Sequence, residues 1–166
     1  MKIFIKQGDI LNFSGGAIVN TSNSHLAPGF GLDGQIRKKA GQSIAAQLKS
    51  YGKCNPGNVV VTSGGRLQND FIIHAVGPIW KGGFSKEEEI LRQTYTSILQ
   101  KAEDLGIKTI AIPNISTGIF RFPKDKAAKV VSEVIENFSF KETKEVHFYC
   151  FDKKDFNIYQ KIYSIS

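Results

Sequence analysis

The chain has 166 residues, 41% of them hydrophobic, and its 22 Lys and Arg against 15 Asp and Glu give a formal net charge of +7. This length and apolar content predict one globular domain over residues 1–166, and no apolar run is long enough to span a bilayer. The positive charge favours anionic partners such as nucleotides or nucleic acid, although a solvated lysine-rich surface explains the same surplus.

The first predicted element is a strand over Lys2–Lys6, where polar and apolar residues alternate. This segment is too short and too alternating for a signal peptide, which favours a cytoplasmic protein. A sharp turn follows at Gly8-Asp9-Ile10. The aspartate of such a turn usually makes a local hydrogen bond. The alternative is that Asp9 accepts a hydrogen bond from an exocyclic amine such as that of adenine.

A second strand, Ala17–Val19, leads into a long loop and then a helix that begins near Leu32. Asn20 and Asn23 stand at the end of the strand and are rich in hydrogen-bonding groups. Asp33 is bracketed by loop residues with special backbone preferences, Pro28, Gly29, Gly31 and Gly34. Such a junction points backbone N–H groups and a helix dipole at one spot, which suits a phosphate. It matches neither a Walker loop nor G-x-G-x-x-G, and glycines needed only for tight packing explain it equally well.

The rest of the chain alternates strands and helices. Further strands are predicted at Asn58–Thr62, Phe71–Val76, Thr109–Pro113 and Glu145–Phe151. Helix boundaries are predicted at Gly41, at a capping box of Ser85 with Glu88, at Gly106, at Pro123 and at Asp152. This alternation predicts a largely parallel sheet covered on both faces, in one three-layer α/β/α domain.

Two loops of unusual composition, Thr21–Gly34 and Asn114–Phe122, leave the carboxyl ends of predicted strands, where ligands bind in open α/β sheets. In the second loop, Ser116-Thr117-Gly118 can form an anion-binding nest of backbone N–H groups. Phe120 puts an aromatic face beside this nest, although core packing is the alternative for that residue. Two phosphate-binding loops suggest a diphosphate across the sheet edge, and therefore a nucleotide with groups at both ends.

Over essentially its whole length the chain resembles a macrodomain, the ADP-ribose-binding module. The matching segments, in order, are Gly8-Asp9-Ile10, Ile18–Asn23 against the family's IVNAAN, Gly29–Ile36 against GGGVDGAI, Ile73–Pro78 with Trp80 against H-x-V-G-P-x-W, and Ile115–Pro123 against ISTGIYGYP. The resemblance implies a three-layer α/β/α macrodomain fold with a mixed, largely parallel central sheet over residues 1–166.

The resemblance also implies roles for single residues. Asp9 would bind the adenine amine, with Ile10 nearby, and Asn23 would hold the distal ribose. In the MacroD-type hydrolase branch, an aspartate in VDG acts with a bound water in cleavage, which corresponds here to Asp33. The implied catalytic residues are therefore Asn23 and Asp33. The implied ligand-binding residues are Asp9, Ile10, Asn20, Gly31, Leu32, Ser116, Thr117, Gly118, Ile119 and Phe120.

Physical chemistry gives a separate argument about Asp33. A carboxylate repels a bound diphosphate, so a loop that only binds has reason to avoid one, and the helix dipole offsets only about 0.3–1 kcal/mol of this conflict. The dipole favours the ionised carboxylate, which would orient a water better than deprotonate it; the substrate's own phosphate is the alternative base. A simple helix cap is the competing explanation.

Two departures from the family pattern affect substrate choice and rate. Ala27–Phe30 replaces a run of glycines, and Arg37 stands where many hydrolases of the family have a histidine. No cofactor or metal is predicted, because Cys54 and Cys150 lie far apart and His25 stands alone.

The leading expectation is an enzyme that binds ADP-ribose and hydrolyses the ester linking it to Asp or Glu of mono-ADP-ribosylated proteins. Deacetylation of O-acetyl-ADP-ribose would use the same site, since it too is an ester on the distal ribose. A reader that binds without turnover is the second class. A hydrolase acting on ADP-ribosylated nucleic acid or ADP-ribose 1-phosphate is the third, and the charge of +7 favours it weakly. The sequence names neither the physiological acceptor nor the oligomeric state.

Overall fold

A computed structural model describes residues 1–163, which form six strands and five α-helices. The strands are β1 (Lys2–Gln7), β2 (Gly15–Thr21), β3 (Val59–Ser63), β4 (Asn69–Ala75), β5 (Thr109–Pro113) and β6 (Glu145–Cys150). The helices are α1 (Leu32–Ala40), α2 (Gln42–Tyr51), α3 (Glu87–Asp104), α4 (Lys124–Asn137) and α5 (Lys153–Tyr163). The prediction of a single domain over residues 1–166 extends three residues beyond this description and stays a prediction.

The strands form one sheet in the order β1-β6-β5-β2-β4-β3. Every neighbouring pair is parallel except β3 with β4, which the short connection between them makes antiparallel. The mixed, largely parallel sheet is therefore confirmed. Because all the strands except β3 run the same way, the carboxyl ends of β1, β6, β5 and β2 meet along one edge.

Helices cover both faces of the sheet. Neighbouring residues of β2 point to opposite faces, so Ile18 belongs to one buried cluster and Val19 to the other. On the face of Ile18, α1 and α2 contribute Ile36 and Leu48. On the face of Val19, the other three helices contribute residues such as Leu91, Val131 and Tyr159. The three-layer α/β/α architecture is confirmed, and within residues 1–163 no helix is long and apolar enough to cross a bilayer.

The predicted capping box at Ser85 and Glu88 is wrong. Helix α3 begins at Glu87 after Lys86, whose φ of 61° is left-handed and whose side chain caps nothing. The Glu87 carboxylate instead accepts hydrogen bonds from backbone N–H groups of the preceding loop, those of Lys81, Gly83 and Ser85. This buried carboxylate fixes the loop that carries Trp80, whose ring lies 4.9 Å from that of Phe122. The β4–α3 loop therefore supports the loop that follows β5.

Candidate functional site

A cleft follows the carboxyl ends of the parallel strands. Its first cavity, of about 460 Å³, lies over the ends of β1 and β6; its second, of about 430 Å³, lies between the loops after β2 and β5. Both cavities are lined by Thr21, Gly31, Leu32, Asn114 and Gly118, so they form one continuous cleft. A separate hollow of about 670 Å³ beside Gly41 and Arg66 contains none of the predicted site residues.

Eleven of the twelve predicted site residues line this cleft. The first cavity contains Asp9, Ile10 and Thr117, the second contains Asn23, Asp33, Ser116, Ile119 and Phe120, and both contain Gly31, Leu32 and Gly118. The exception is Asn20, which is fully buried beneath the second cavity instead of lining it. Its predicted contact with the ligand therefore becomes an indirect one, through the groups that it bonds. The roles in binding and catalysis stay predictions.

Two loops that border the cleft carry backbone N–H groups without partners in the described part of the chain. Those of Gly31–Gly34, at the N-terminus of α1, and of Ser116–Phe120 have no hydrogen-bond partner among residues 1–163. A Cβ added at Gly118 would meet no atom within 4 Å, so the open cleft begins at its backbone. Free N–H groups at a helix N-terminus and in a glycine loop attract anions. Two segments of a kind that suits an anion therefore border one cleft.

The second loop is held in a constrained conformation. Ser116 has a left-handed φ of 66°, and its carbonyl accepts a hydrogen bond from the N–H of Phe122 at 2.8 Å. The N–H of Trp80 donates to the Phe120 carbonyl at 2.8 Å. A Cβ at Gly77 would overlap the Ser116 Oγ, so only glycine permits this approach of the two loops.

Asp33 lies at the wall of the second cavity and is only 3% exposed. Its Oδ1 accepts a hydrogen bond from Asn20 Nδ2 at 2.7 Å, and its Oδ2 accepts from the Gly29 N–H and from Arg37 Nε, each at 2.8 Å. Gly31, not Asp33, occupies the N-cap position of α1. The helix-cap explanation of Asp33 is therefore wrong: its carboxylate fastens the glycine loop to α1.

Arg37 pairs with this carboxylate one helical turn along. The side chains of Arg37 and Asp33 are 14% and 5% exposed, and the Arg37 Nη2 also donates to the Leu26 carbonyl at 2.9 Å. A buried carboxylate near a diphosphate would repel it, and the guanidinium offsets this charge. The departure from the family's histidine thus has a local electrostatic consequence.

Asn23 and Asp9 each make a local hydrogen bond while keeping capacity for a ligand. The Asn23 amide bonds both backbone groups of Ala27, at 3.0 and 3.1 Å, which leaves one N–H and one lone pair. Asp9 Oδ1 accepts from the Leu11 N–H at 2.9 Å and caps a 3-10 turn over Ile10–Asn12. The local explanation of Asp9 is therefore observed, and its Oδ2 remains able to accept from an amine.

Sequence reasoning missed part of the first cavity. Phe151, predicted as the end of a strand, lies just beyond β6 and is 86% exposed at the cavity, beside Tyr149. Lys124 also lines it, and its Nζ contacts Asp155 Oδ2 at 2.5 Å and Asp152 Oδ2 at 3.2 Å. Partial burial alone would lower the pKa of Lys124. The two carboxylates outweigh this effect, so the pKa of Lys124 lies above its usual value. The sequence feature that could have indicated this cavity wall is Phe151, an aromatic residue directly after an apolar strand.

Thiol and metal chemistry receive no support from the described residues. Cys54 and Cys150 are both free and buried, and burial raises the pKa of the Cys150 thiol to about 11. Within residues 1–163 no three His, Cys, Asp or Glu side chains cluster in a way that could hold a metal ion.

Comparison with known proteins places this cleft in context. A family model described as Macro domain matches residues 19–131. A macro domain-containing protein of Caldanaerobacter subterraneus subsp. tengcongensis is 41% identical over 98% of this chain and 95% of that protein. An O-acetyl-ADP-ribose deacetylase of Pantoea vagans is 39% identical over 97% of this chain and 98% of that protein. The solved Oceanobacillus iheyensis macrodomain with ADP matches with a TM-score of 0.88 and 32% identity, covering 95% of this chain and 87% of that chain.

Proposed function

The chain belongs to the macro domain family, and on that premise we propose that it binds ADP-ribose in the cleft and hydrolyses an ester on the distal ribose. The observation that carries this proposal is the meeting of two sets of free backbone N–H groups, at Gly31–Gly34 and Ser116–Phe120, across one cleft. A diphosphate needs such donors on both sides. The adenosine then occupies the cavity at one end of the cleft, and the distal ribose occupies the cavity at the other end. The proposal treats residues 1–166 as one macrodomain.

The two ends of the cleft differ in chemistry, which orients the ligand. The first cavity has the apolar and aromatic walls Ile10, Tyr149 and Phe151 and the carboxylate of Asp9, which suit adenine and its amine. The second has the Asn23 amide and the Asp33 carboxylate, which suit the hydroxyls of a ribose. This orientation puts an ester on the distal ribose next to Asp33.

In the proposed reaction Asp33 orients the attacking water. Its Oδ1 accepts one hydrogen bond from Asn20, so one lone pair remains for a water in the second cavity. The water oxygen attacks the acyl carbon, the bond from that carbon to the ribose oxygen breaks, and the ribose hydroxyl and a free carboxylic acid form. Asp33, held by its three hydrogen bonds, positions the water, and the water's proton passes to a phosphate oxygen of the substrate and from there to the leaving ribose oxygen.

The same bond occurs in O-acetyl-ADP-ribose and in ADP-ribose linked to a protein Asp or Glu. The deacetylase name of the Pantoea vagans relative favours the first substrate. The exposed side chains of Phe30 and Ile119, 95% and 84% accessible at the mouth of the second cavity, leave that end open to an acyl group attached to a protein. We therefore include mono-ADP-ribosylated proteins among the substrates.

A reader without turnover is the second candidate, and one observation favours it. The Arg37 guanidinium holds Asp33 Oδ2 at 2.8 Å, and this added donor restrains the carboxylate that should orient water. In a reader, ADP-ribose would bind equally well and no ester would be cleaved.

Product release separates the two candidates. The wild-type protein is incubated with O-acetyl-ADP-ribose and with a protein mono-ADP-ribosylated on glutamate, and free ADP-ribose is followed by chromatography, with Gly118→Glu as the inactive control. Release by the wild type alone supports the hydrolase. Binding of ADP-ribose by calorimetry without release leaves the reader. Absence of binding contradicts both.

A further inference from the structure

A histidine lies in the sheet beneath the second cavity and takes no part in the proposed chemistry. His74, in strand β4 between β2 and the edge strand β3, is completely buried on the α1 side of the sheet. Its Nδ1 lies 3.1 Å from Asn20 Nδ2, and its Nε2 lies 2.9 Å from Thr62 Oγ1. Because Asn20 bonds Asp33, these contacts connect Thr62 on β3 to the carboxylate at the cavity wall.

The hydrogen-bond directions along this chain of residues are fixed by Asp33. A carboxylate only accepts, so the Asn20 amide must turn its NH₂ group toward Asp33 Oδ1. The nitrogen of this group lies 3.1 Å from His74 Nδ1 and 3.3 Å from Ser22 Oγ, and the shorter contact assigns its second N–H to His74 Nδ1, which is then the unprotonated ring nitrogen. The proton is therefore on Nε2 and is donated to Thr62 Oγ1, whose own hydroxyl hydrogen goes to the Ser63 carbonyl at 3.0 Å.

We propose that His74 is a positioning residue that holds Asp33, through Asn20, in the orientation needed to bind the attacking water. The inference rests on the proposed hydrolase function. With the proton on Nδ1, the His74 ring would face the Asn20 amide donor with another donor. The amide would then turn its oxygen toward His74 and toward the Asp33 carboxylate, and two acceptors would meet.

Burial keeps His74 in the required neutral form. Burial is the largest cause that lowers its pKa, to about 4; the negative charge of Asp33 raises it and the positive charge of Arg37 lowers it further. These two are the charged groups that act on the ring, so Arg37 serves the relay as well as the carboxylate. At neutral pH the ring therefore presents a lone pair to Asn20.

Thr62 offers a matched pair of variants, because it touches neither cavity. Thr62→Val keeps the shape and removes the acceptor of the His74 proton, whereas Thr62→Ser keeps the hydroxyl. We expect Thr62→Val to lower kcat for ester hydrolysis about fivefold, the rate equivalent of one lost hydrogen bond, with KM and ADP-ribose affinity unchanged. Thr62→Ser should retain kcat. A variant that merely loosened the fold would change KM and affinity as well.

Nitrogen-15 NMR of the imidazole ring tests the same inference without activity. In the wild type we expect the His74 signals of a neutral ring protonated on Nε2; a ring protonated on Nδ1 overturns the inference even if Thr62→Val does not fold. An unchanged kcat in a folded Thr62→Val protein also overturns it. If the wild type itself cleaves no ester, the proposed function fails. The connection from Thr62 through His74 to Asp33 is then tested by the carboxyl carbon-13 NMR signal of Asp33, which should differ between Thr62→Val and Thr62→Ser. Identical signals would refute this connection.

Discussion

The ion pair between Arg37 and Asp33 gives the sharpest prediction about how the site is held together. Arg37→Ala removes the partner of a carboxylate that is 3% exposed and also removes the hydrogen bond to the Leu26 carbonyl. Breaking a fully buried pair costs about 3–5 kcal/mol, because the remaining charge stays buried without compensation. The Arg37 side chain is 14% exposed, so water reaches it in part, and we expect a loss of about 2–3 kcal/mol.

Urea unfolding near neutral pH measures this loss. For a chain of this size it corresponds to a fall in Tm of about 4–12 °C. Lys39→Ala is the matched control, since Lys39 is an exposed cation in the last turn of the same helix. We expect the control to unfold within about 0.5 kcal/mol of the wild type. If Arg37→Ala is as stable as Lys39→Ala, the pair does not hold the glycine loop.

The same pair has an electrostatic role that a second variant isolates. In Arg37→Ala the Asp33 carboxylate faces the diphosphate without its compensating charge, so affinity for ADP-ribose should fall. Adding Asp33→Asn removes that charge and should restore both affinity and much of the lost stability. Calorimetry in low and high salt checks the cause, because salt screens the repulsion and should narrow the difference. A double variant that binds ADP-ribose more weakly than Arg37→Ala would show that repulsion by the Asp33 charge does not cause the loss of affinity.

Three further predictions concern the cleft and the buried histidine. Gly118→Glu should abolish ADP-ribose binding with little change in Tm, because the side chain enters the open cleft; normal binding by calorimetry would move the diphosphate elsewhere. Asp9→Ala should weaken ADP-ribose binding by about 1.5–3 kcal/mol, the value of a hydrogen bond to a charged group, and an unchanged affinity would remove adenine from the first cavity. The free energy of unfolding should fall by about 2 kcal/mol between about pH 7 and pH 5, because His74 takes up a proton near its ordinary pKa in the unfolded chain but only near pH 4 in the folded protein. The fall should be smaller in His74→Gln, and equal falls in the two proteins would exclude His74 as the cause.

The sequence predicts most of the fold because local pattern and burial agree in it. The strand Thr109–Pro113 has the predicted bounds, the boundary predicted at Gly41 separates α1 from α2, and Asp152 caps α5 through the Asp155 N–H. A run of apolar residues such as Ala17–Val19 indicates a strand buried on both faces, as in the interior of a parallel sheet that helices cover on both sides.

Contacts between segments distant in the chain are what the sequence did not predict. The pattern at Ser85 and Glu88 fits a capping box, but the loop before α3 needs acceptors, and Glu87 supplies them instead. The sequence predicts that Asn20 binds the ligand because it belongs to a ligand-binding motif. Its side chain instead bonds His74 and Asp33, which lie 54 and 13 positions away in the sequence. Such partnerships depend on strand order and register, which no local pattern contains.

In the proposed reaction Asp33 orients the water that cleaves an ester on the distal ribose of bound ADP-ribose. Single-turnover hydrolysis of O-acetyl-ADP-ribose by the wild type and by Asp33→Asn, with ADP-ribose affinity measured on both, tests this role. We predict that the wild type releases acetate and ADP-ribose. Asp33→Asn should bind ADP-ribose at least as tightly and be slower by about 10²-fold, the scale of a lost water-positioning group. Equal rates in the two proteins, or a wild type that binds no ADP-ribose, would contradict it.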